Sequence, residues 1–175
     1  MDMRERIEKE LGWFERTVQH IPGYRGYKEK ELAREADSLV RGNLAKGINA
    51  EVDRLTDVQR QLLDSGGIKY LDDVDGIIRR LQTLATTIRT ASYGYSGLFD
   101  AVKVKEEELD ALYRHDATLL ESLPSLTAAV DALGTAVSDL QSVPKALMEL
   151  TSVVNTMRQQ WDRRRDALLQ AGIIQ

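Results

Sequence analysis

Residues 62–88, LLDSGGIKYLDDVDGIIRRLQTLATTI, decide the fold. Ser65-Gly66-Gly67 predicts the end of a helix, because a glycine just past the last periodic residue caps a helix in the left-handed conformation. The residues that follow repeat apolar side chains at alternating spacings of three and four, as in a helix that packs along one seam. These residues are Leu71, Val74, Ile78, Leu81, Ala85 and Ile88. So short a connection predicts an antiparallel helical hairpin.

The hairpin's first helix is predicted from Lys28 to Asp64 and its second from Ile68 to Ala91. The first helix carries an apolar stripe of ten residues, which is typical of a helix with one buried face. The stripe consists of Leu32, Ala36, Leu39, Val40, Leu44, Ile48, Val52, Leu55, Val58 and Leu62. Gly47 falls on or beside this stripe, which favours close approach of a neighbouring helix, with a kink as the alternative.

The C-terminal part of the chain, predicted as helices over 103–171, has a longer regular pattern. Nine positions at seven-residue intervals are apolar: 112, 119, 126, 133, 140, 147, 154, 161 and 168. Pro124 and Pro144 interrupt the ladder of backbone hydrogen bonds, yet the apolar pattern keeps its phase, which predicts kinks or brief breaks between nearly collinear helices. A collinear stripe would span about 84 Å, against about 55 Å for the helix from Lys28 to Asp64. The segment is therefore expected to fold back on itself, or else to pair with a second chain in a homodimer.

The intervening charged residues of this segment are predicted on solvated outward faces. They are Glu149, Arg158, Asp162, Arg163, Arg164, Arg165 and Asp166. The fold class is accordingly all-α: an elongated antiparallel helical bundle with coiled-coil-like packing, formed as a single domain over 1–175.

Composition excludes several classes of function. The 175 residues include no Cys and only two His, His20 and His115, so disulfides and thiolate metal sites are excluded and histidine chemistry has few candidates. No motif for a cofactor, a metal or a catalytic nucleophile is present, so none is predicted. A net charge of −4 makes nucleic acid an unlikely partner. The absence of a long apolar run predicts a soluble cytoplasmic protein that contacts membranes only peripherally, if at all.

Aromatic residues concentrate in two glycine-containing segments, 21–27 and 92–101. Tyrosine beside glycine presents a large amphipathic surface, which is common at recognition sites. Such tyrosines can equally plug the open end of a bundle, and this alternative stays open. If the two segments meet, they form an interaction patch with flanking positive charge. Its candidate residues are Tyr24, Arg25, Tyr27, Lys28, Tyr93, Tyr95, Phe99 and Lys103.

The stretches IPGYRGYKEKE (21–31) and YGYSGLFDAVK (93–103) resemble motifs of an uncharacterised family of small all-helical bacterial and archaeal proteins. The resemblance covers about residues 10–125 and implies a helical fold without implying an activity. The function expected from all these features is that of a non-enzymatic interaction or scaffold protein binding another protein. Two alternatives stay open: a peripheral membrane-associated or filament-forming helical protein, and a small-molecule-binding bundle with a pocket near the tyrosine segments.

Overall fold

The computed structural model describes residues 28–91 and 106–170, with side chains described within 38–91, at 115 and within 117–170. These residues form four α-helices and one short 3-10 helix, and they contain no strand. The helices are α1 (Lys28–Asp64), α2 (Leu71–Thr90), α3 (Glu106–Ala136) and α4 (Val143–Gln170), and the 3-10 helix is Ile68–Tyr70. The helices pack against one another, so the all-α bundle predicted from the sequence is confirmed.

The chain divides into two compact units, Met1–Val40 and Arg41–Gln175, with the division inside α1. The described residues of the first unit, 28–40, are the beginning of α1. The contacts between helices described for Arg41 and later residues lie within the second unit.

The turn after α1 lies where the glycines predict it. Gly66 has a φ of 81°, a conformation that L side chains rarely adopt. The amide of Gly67 donates to the carbonyl of Leu62 at 2.7 Å, and the amide of Gly66 donates to the carbonyl of Leu63 at 3.3 Å. This bonding pattern is a Schellman motif, in which a left-handed residue lets the chain satisfy the last helical carbonyls. The helix therefore ends for a local, sequence-encoded reason.

Helices α1 and α2 form the predicted antiparallel hairpin. Arg41, in the first half of α1, donates hydrogen bonds to the carbonyls of Ile88 and Arg89 at 3.3 Å each. Those carbonyls belong to the last turn of α2, where a cation is favoured by the helix dipole. The side chain thus anchors the end of α2 that lies away from the turn.

Helices α3 and α4 also form a hairpin, so the expectation of nearly collinear helices is wrong on the Pro144 side and the expected fold-back is confirmed. The reversal lies between the two prolines, at residues 137–142. There the side chain of Asp139 accepts hydrogen bonds from the Ser142 hydroxyl at 2.7 Å and the Gln141 amide at 3.2 Å. Pro124 lies inside the continuous helix α3. Pro144 is the second residue of α4, where its missing amide costs no helical hydrogen bond.

The core follows the predicted stripes closely. The heptad positions Leu119, Leu126, Leu133, Leu147, Val154, Trp161 and Leu168 are all buried, and α1 buries its stripe from Leu44 to Leu62. Leu39 departs from the prediction, since it is 58 % exposed. It lies one residue, or about 100° around the helix, from the line through Val40, Leu44 and Ile48, so it misses the buried face.

Helices α1 and α3 are not consecutive, yet they touch along four successive levels. At each level the residue numbers differ by 76 or 77, so the two helices run in the same direction. A Cβ atom on Gly47 would lie 2.9 Å from Leu123, which confirms close helix approach as the reason for that glycine. The paired residues are Gly47 with Leu123, Glu51 with Thr127, Arg54 with Asp131, and Val58 with Gly134.

Within the described residues, no helix combines the length and the apolar character that crossing a membrane requires.

Candidate functional site

The interaction patch predicted from the sequence lies outside the part of the chain whose side chains are described. Tyr24, Arg25, Tyr27, Tyr93, Tyr95, Phe99 and Lys103 fall in segments 1–27 and 92–105, and Lys28 is the first residue of α1. The patch therefore remains a prediction. The polar features of the described bundle lie elsewhere.

A polar cluster joins α1 to α3 in the middle of their contact. Glu51 is only 6 % exposed, and both of its carboxylate oxygens accept hydrogen bonds. Thr127 of α3 donates its hydroxyl to Oε1 at 2.7 Å, and Arg54 donates Nη1 to Oε2 at 2.8 Å. The other terminal nitrogen of the guanidinium, Nη2, donates to the carboxylate of Asp131 in α3. We call these four residues the polar cluster.

The neighbouring acidic side chains favour the protonated form of Arg54. The hydrogen bond with Asp131 is the largest influence that raises the pKa of Arg54, and the charge of Glu51 adds to it against the opposing effect of burial. A raised pKa for a basic group means that the favourable interaction is present below the group's ordinary pKa and is lost only above it. Arg54 therefore stays protonated and donates to both Glu51 and Asp131.

The polar cluster borders an open groove between α1 and α3. The groove has a volume of about 380 Å³. Val58 and Val130 of its lining are buried, and the lining also carries both signs of charge. The lining residues are Arg54, Asp57, Val58, Gln61, Val130, Asp131, Gly134 and Thr135.

The rim groups are engaged within the protein. Arg60 donates to Asp57 at 2.8 Å, and the Thr135 hydroxyl donates to the backbone carbonyl of Asp131 at 3.0 Å. In the part of the chain that the structure describes, no group of three or more His, Asp or Glu residues is placed to hold a metal ion. The groove thus offers shape and charge for contact with another molecule, with its hydroxyl and carboxylate groups already bonded to neighbours.

A second polar residue lies deep in the core and corrects a prediction. Arg164, expected on a solvated face, is completely buried. Its guanidinium carbon lies 5.2 Å from the centroid of the Trp161 ring, within the range of a cation–π interaction. The sequence contained the signal for this burial: Val143, Leu150 and Met157 recur every seven residues, and the next member of that series is Arg164.

The two turns of the bundle meet at one end. The Tyr70 hydroxyl donates to the carbonyl of Leu140 at 3.1 Å, which ties the 3-10 helix to the α3–α4 turn. Lys69 lies 4.8 Å above the Tyr70 ring. Beside this junction, Leu63 and Ile68 are 52 % and 64 % exposed. This end therefore combines a fixed backbone with uncovered apolar side chains.

Sequence reasoning missed the polar cluster, because its members come from two helices about 76 residues apart. Only Glu51 gave a local signal, as a charged residue seven positions from both Leu44 and Val58 of the buried stripe. His115, expected to be a surface or partly packed residue, is half-buried.

Comparisons with family models, curated proteins and solved structures gave no match to this chain. The motif resemblance at 21–31 and 93–103 is therefore an expectation from the sequence only.

Proposed function

We propose that this protein is a non-enzymatic helical scaffold that binds another protein through exposed surfaces of its bundle. The support comes from the end of the bundle where the two turns meet. Leu63 and Ile68 stay largely exposed there, although the hydrogen bond from Tyr70 to Leu140 fixes the backbone around them. A rigid surface with apolar anchors loses little conformational entropy when it binds. Paired hairpins with a closed apolar core supply that rigidity.

We propose the interaction patch of the two tyrosine segments as a second contact surface. Its composition, tyrosine beside glycine with flanking Arg25, Lys28 and Lys103, supports recognition. Spin labels at Arg25 and Ser96 test whether the two segments meet. The ten residues from Ser92 to Ala101 extend to about 33 Å, which is long enough for the second tyrosine segment to reach the first. We therefore expect a separation of the two labels below about 30 Å. A longer distance would exclude a composite patch.

Site-specific photo-crosslinking in cells tests the proposed function directly. A photoreactive residue at Leu63 or at Ile68 should give a crosslinked protein of defined mass. The matched control is Arg158, which is similarly exposed but lies on α4 away from the turns. Substitution Ile68→Asp should abolish the crosslink from position 63. Absence of any crosslink from both turn positions and from the tyrosine segments would refute the scaffold role.

We also propose a cytoplasmic location. The support is compositional: a chain of 175 residues without cysteine fits a reducing compartment.

A further inference from the structure

The outer face of α2 carries charges in an order that lets two copies of the face pair with each other in antiparallel orientation. Val74, Ile78, Leu81, Ala85 and Ile88 turn inward, and all are buried. Asp72, Gly76, Arg79 and Thr83 follow one another at spacings of four, three and four, so they share the opposite face. Along this face Asp72 comes first, Gly76 follows and Arg79 comes after it; Asp73 and Arg80 directly follow Asp72 and Arg79 in the sequence and lie at one flank of the face.

The charges on this face are placed symmetrically about Gly76. Asp72 and Asp73 precede it by four and three residues, and Arg79 and Arg80 follow it by three and four. If a second α2 lies antiparallel across the first with Gly76 opposite Gly76, each acidic pair faces the basic pair of the other copy. The contact is isologous, so every favourable charge pair forms twice.

The exposed charges are available for such a contact. Asp72, Asp73, Arg79 and Arg80 are all exposed. Among the described residues, Arg79 pairs with Asp75 of its own helix at 2.9 Å, whereas no ion pair involves Asp72, Asp73 or Arg80. Around Gly76, this leaves Asp72, Asp73 and Arg80 of each α2 without an ionic partner in the described part of the chain.

Gly76 has no packing reason inside the protein. A Cβ atom at this position would meet nothing within 4 Å, although glycine in a helix interior lowers helix stability relative to alanine. Gly47, in contrast, is required by Leu123 of a neighbouring helix. A helix from outside the chain would pack closely against Gly76, as the helix that carries Leu123 packs against Gly47.

Apolar contacts extend the same register. Thr83 and Thr87 donate their hydroxyls to carbonyls of their own helix at 2.8 Å each, so methyl groups remain for contact on an exposed surface. In the antiparallel arrangement this part of one α2 lies opposite the 3-10 helix of the other copy, where Ile68 is 64 % exposed. Ile68 would pack against these methyl groups.

We propose that two copies of this chain associate through an antiparallel α2–α2 contact centred on Gly76. The inference rests on the proposed scaffold function and names one partner for it, a second copy. A 20-residue helix is about 30 Å long, so the contact is small and its charge pairs contribute much of its strength. Association is therefore expected at high protein concentration and low salt.

Sedimentation velocity of the full chain at about 0.1 mM protein tests this contact. We expect dimers at about 0.01 M salt, where the screening length is about 30 Å, and monomers at about 1 M salt, where it is about 3 Å. A wild-type protein that is monomeric at low salt would overturn the proposal. It would leave the photo-crosslinking test of the scaffold function unaffected.

Charge reversal shows whether α2 is the surface involved. D72R/D73R and R79D/R80D should each be monomeric at low salt, because every cross-pair becomes repulsive. An equimolar mixture of the two variants should form heterodimers, because all four charges of one variant are then basic and face four acidic charges of the other. Circular dichroism melting establishes that each variant is folded before mixing. Folded variants that fail to associate on mixing, or that still self-associate alone, would contradict the antiparallel register.

Gly76→Ala tests the close approach without changing charge. This substitution should raise the melting temperature of the monomer by about 2–4 °C and weaken dimerisation at least tenfold. The matched control is Gly42→Ala in α1, where a Cβ atom also meets nothing within 4 Å. The control should raise the melting temperature similarly and leave dimerisation unchanged. Equal dimerisation of both alanine variants and wild type would place Gly76 outside the interface.

Discussion

The α3–α4 hairpin and the α1–α3 contact join helices in different ways. In the hairpin, a six-residue turn at 137–142 aligns two helices whose facing residues are almost all apolar. In the α1–α3 contact, no short connection exists, and the buried carboxylate of Glu51 bonds both helices. A short turn sets the register of its own hairpin, whereas helices far apart in sequence need side chains to set theirs.

Apolar seams alone would leave the register of α1 on α3 weakly defined. A seam that repeats every seven residues presents a similar apolar surface after a slide of one heptad, about 10 Å. Sliding would move Glu51 and Arg54 away from Thr127 and Asp131 and would leave a buried carboxylate with one hydrogen bond fewer. The two kinds of contact therefore have different roles: the apolar seams supply stability and the polar cluster supplies alignment.

The largest effect is expected from a charge in an apolar seam. Ile78→Asp places a carboxylate at a position that is 7 % exposed in α2, and it should lower the free energy of unfolding by about 3–5 kcal/mol. Gln82→Asp, on the exposed side of the same helix, is the control and should change it by less than about 0.5 kcal/mol. Denaturant unfolding measures both. Similar midpoints for the two variants would show that Ile78 is not part of a seam.

Removing one member of the polar cluster should have an intermediate effect. Glu51→Ala leaves the Thr127 hydroxyl and one side of Arg54 without their acceptor, and it should cost about 1–3 kcal/mol. Thr127→Val removes only the hydroxyl and should cost about 1 kcal/mol. Because the two residues bond each other, the double variant should be more stable than the sum of single effects predicts, by at least about 0.5 kcal/mol. Strict additivity in the double-mutant cycle would contradict the hydrogen bond between them.

Alanine at two glycines of the same interface should change the free energy of unfolding with opposite signs. Gly47→Ala forces Leu123 to move and should lower the free energy of unfolding by about 1–2 kcal/mol. Gly134→Ala places its Cβ 3.7 Å from Val58, an ordinary contact, and should raise it by up to about 1 kcal/mol. Thermal melting of the pair compares them. A stabilising Gly47→Ala would mean that α1 and α3 are less closely packed there.

Much of the fold could be predicted because its determinants are local. The glycines at 66 and 67 end α1, and the apolar spacing identifies the seam of α2. The length of the C-terminal segment predicts either a reversal or pairing with a second chain. It does not predict the place of the reversal, because Asp139 and Ser142 act through turn hydrogen bonds that an apolar pattern does not reveal.

The features that sequence reasoning missed depend on contacts between distant residues. Arg164 occupies the next position of the seven-residue series after Met157, but it is charged where the other members are apolar. Its burial against Trp161 depends on the packed bundle. The pairing of Glu51 with Thr127 follows from which helix packs beside α1, which no local pattern specifies. The tyrosine patch stays a prediction, since its segments lie outside the described residues.

The distance between spin labels at Arg60 in α1 and Glu121 in α3 tests the alignment role of the polar cluster most directly. Both positions are exposed, and the chain has no native cysteine to interfere with labelling. The wild-type register predicts one narrow distribution near about 25 Å, because the two sites differ by about 15 residues in level along the parallel pair.

The informative variant replaces the polar cluster by apolar residues: Glu51→Leu, Arg54→Leu, Thr127→Val and Asp131→Leu. We expect this variant to remain helical and folded, and to show a second distance population displaced by up to about 10 Å, the length of one heptad. A single narrow distribution at the wild-type distance would contradict the alignment role of the polar cluster, because it would show that the apolar seams and turns alone align α1 with α3.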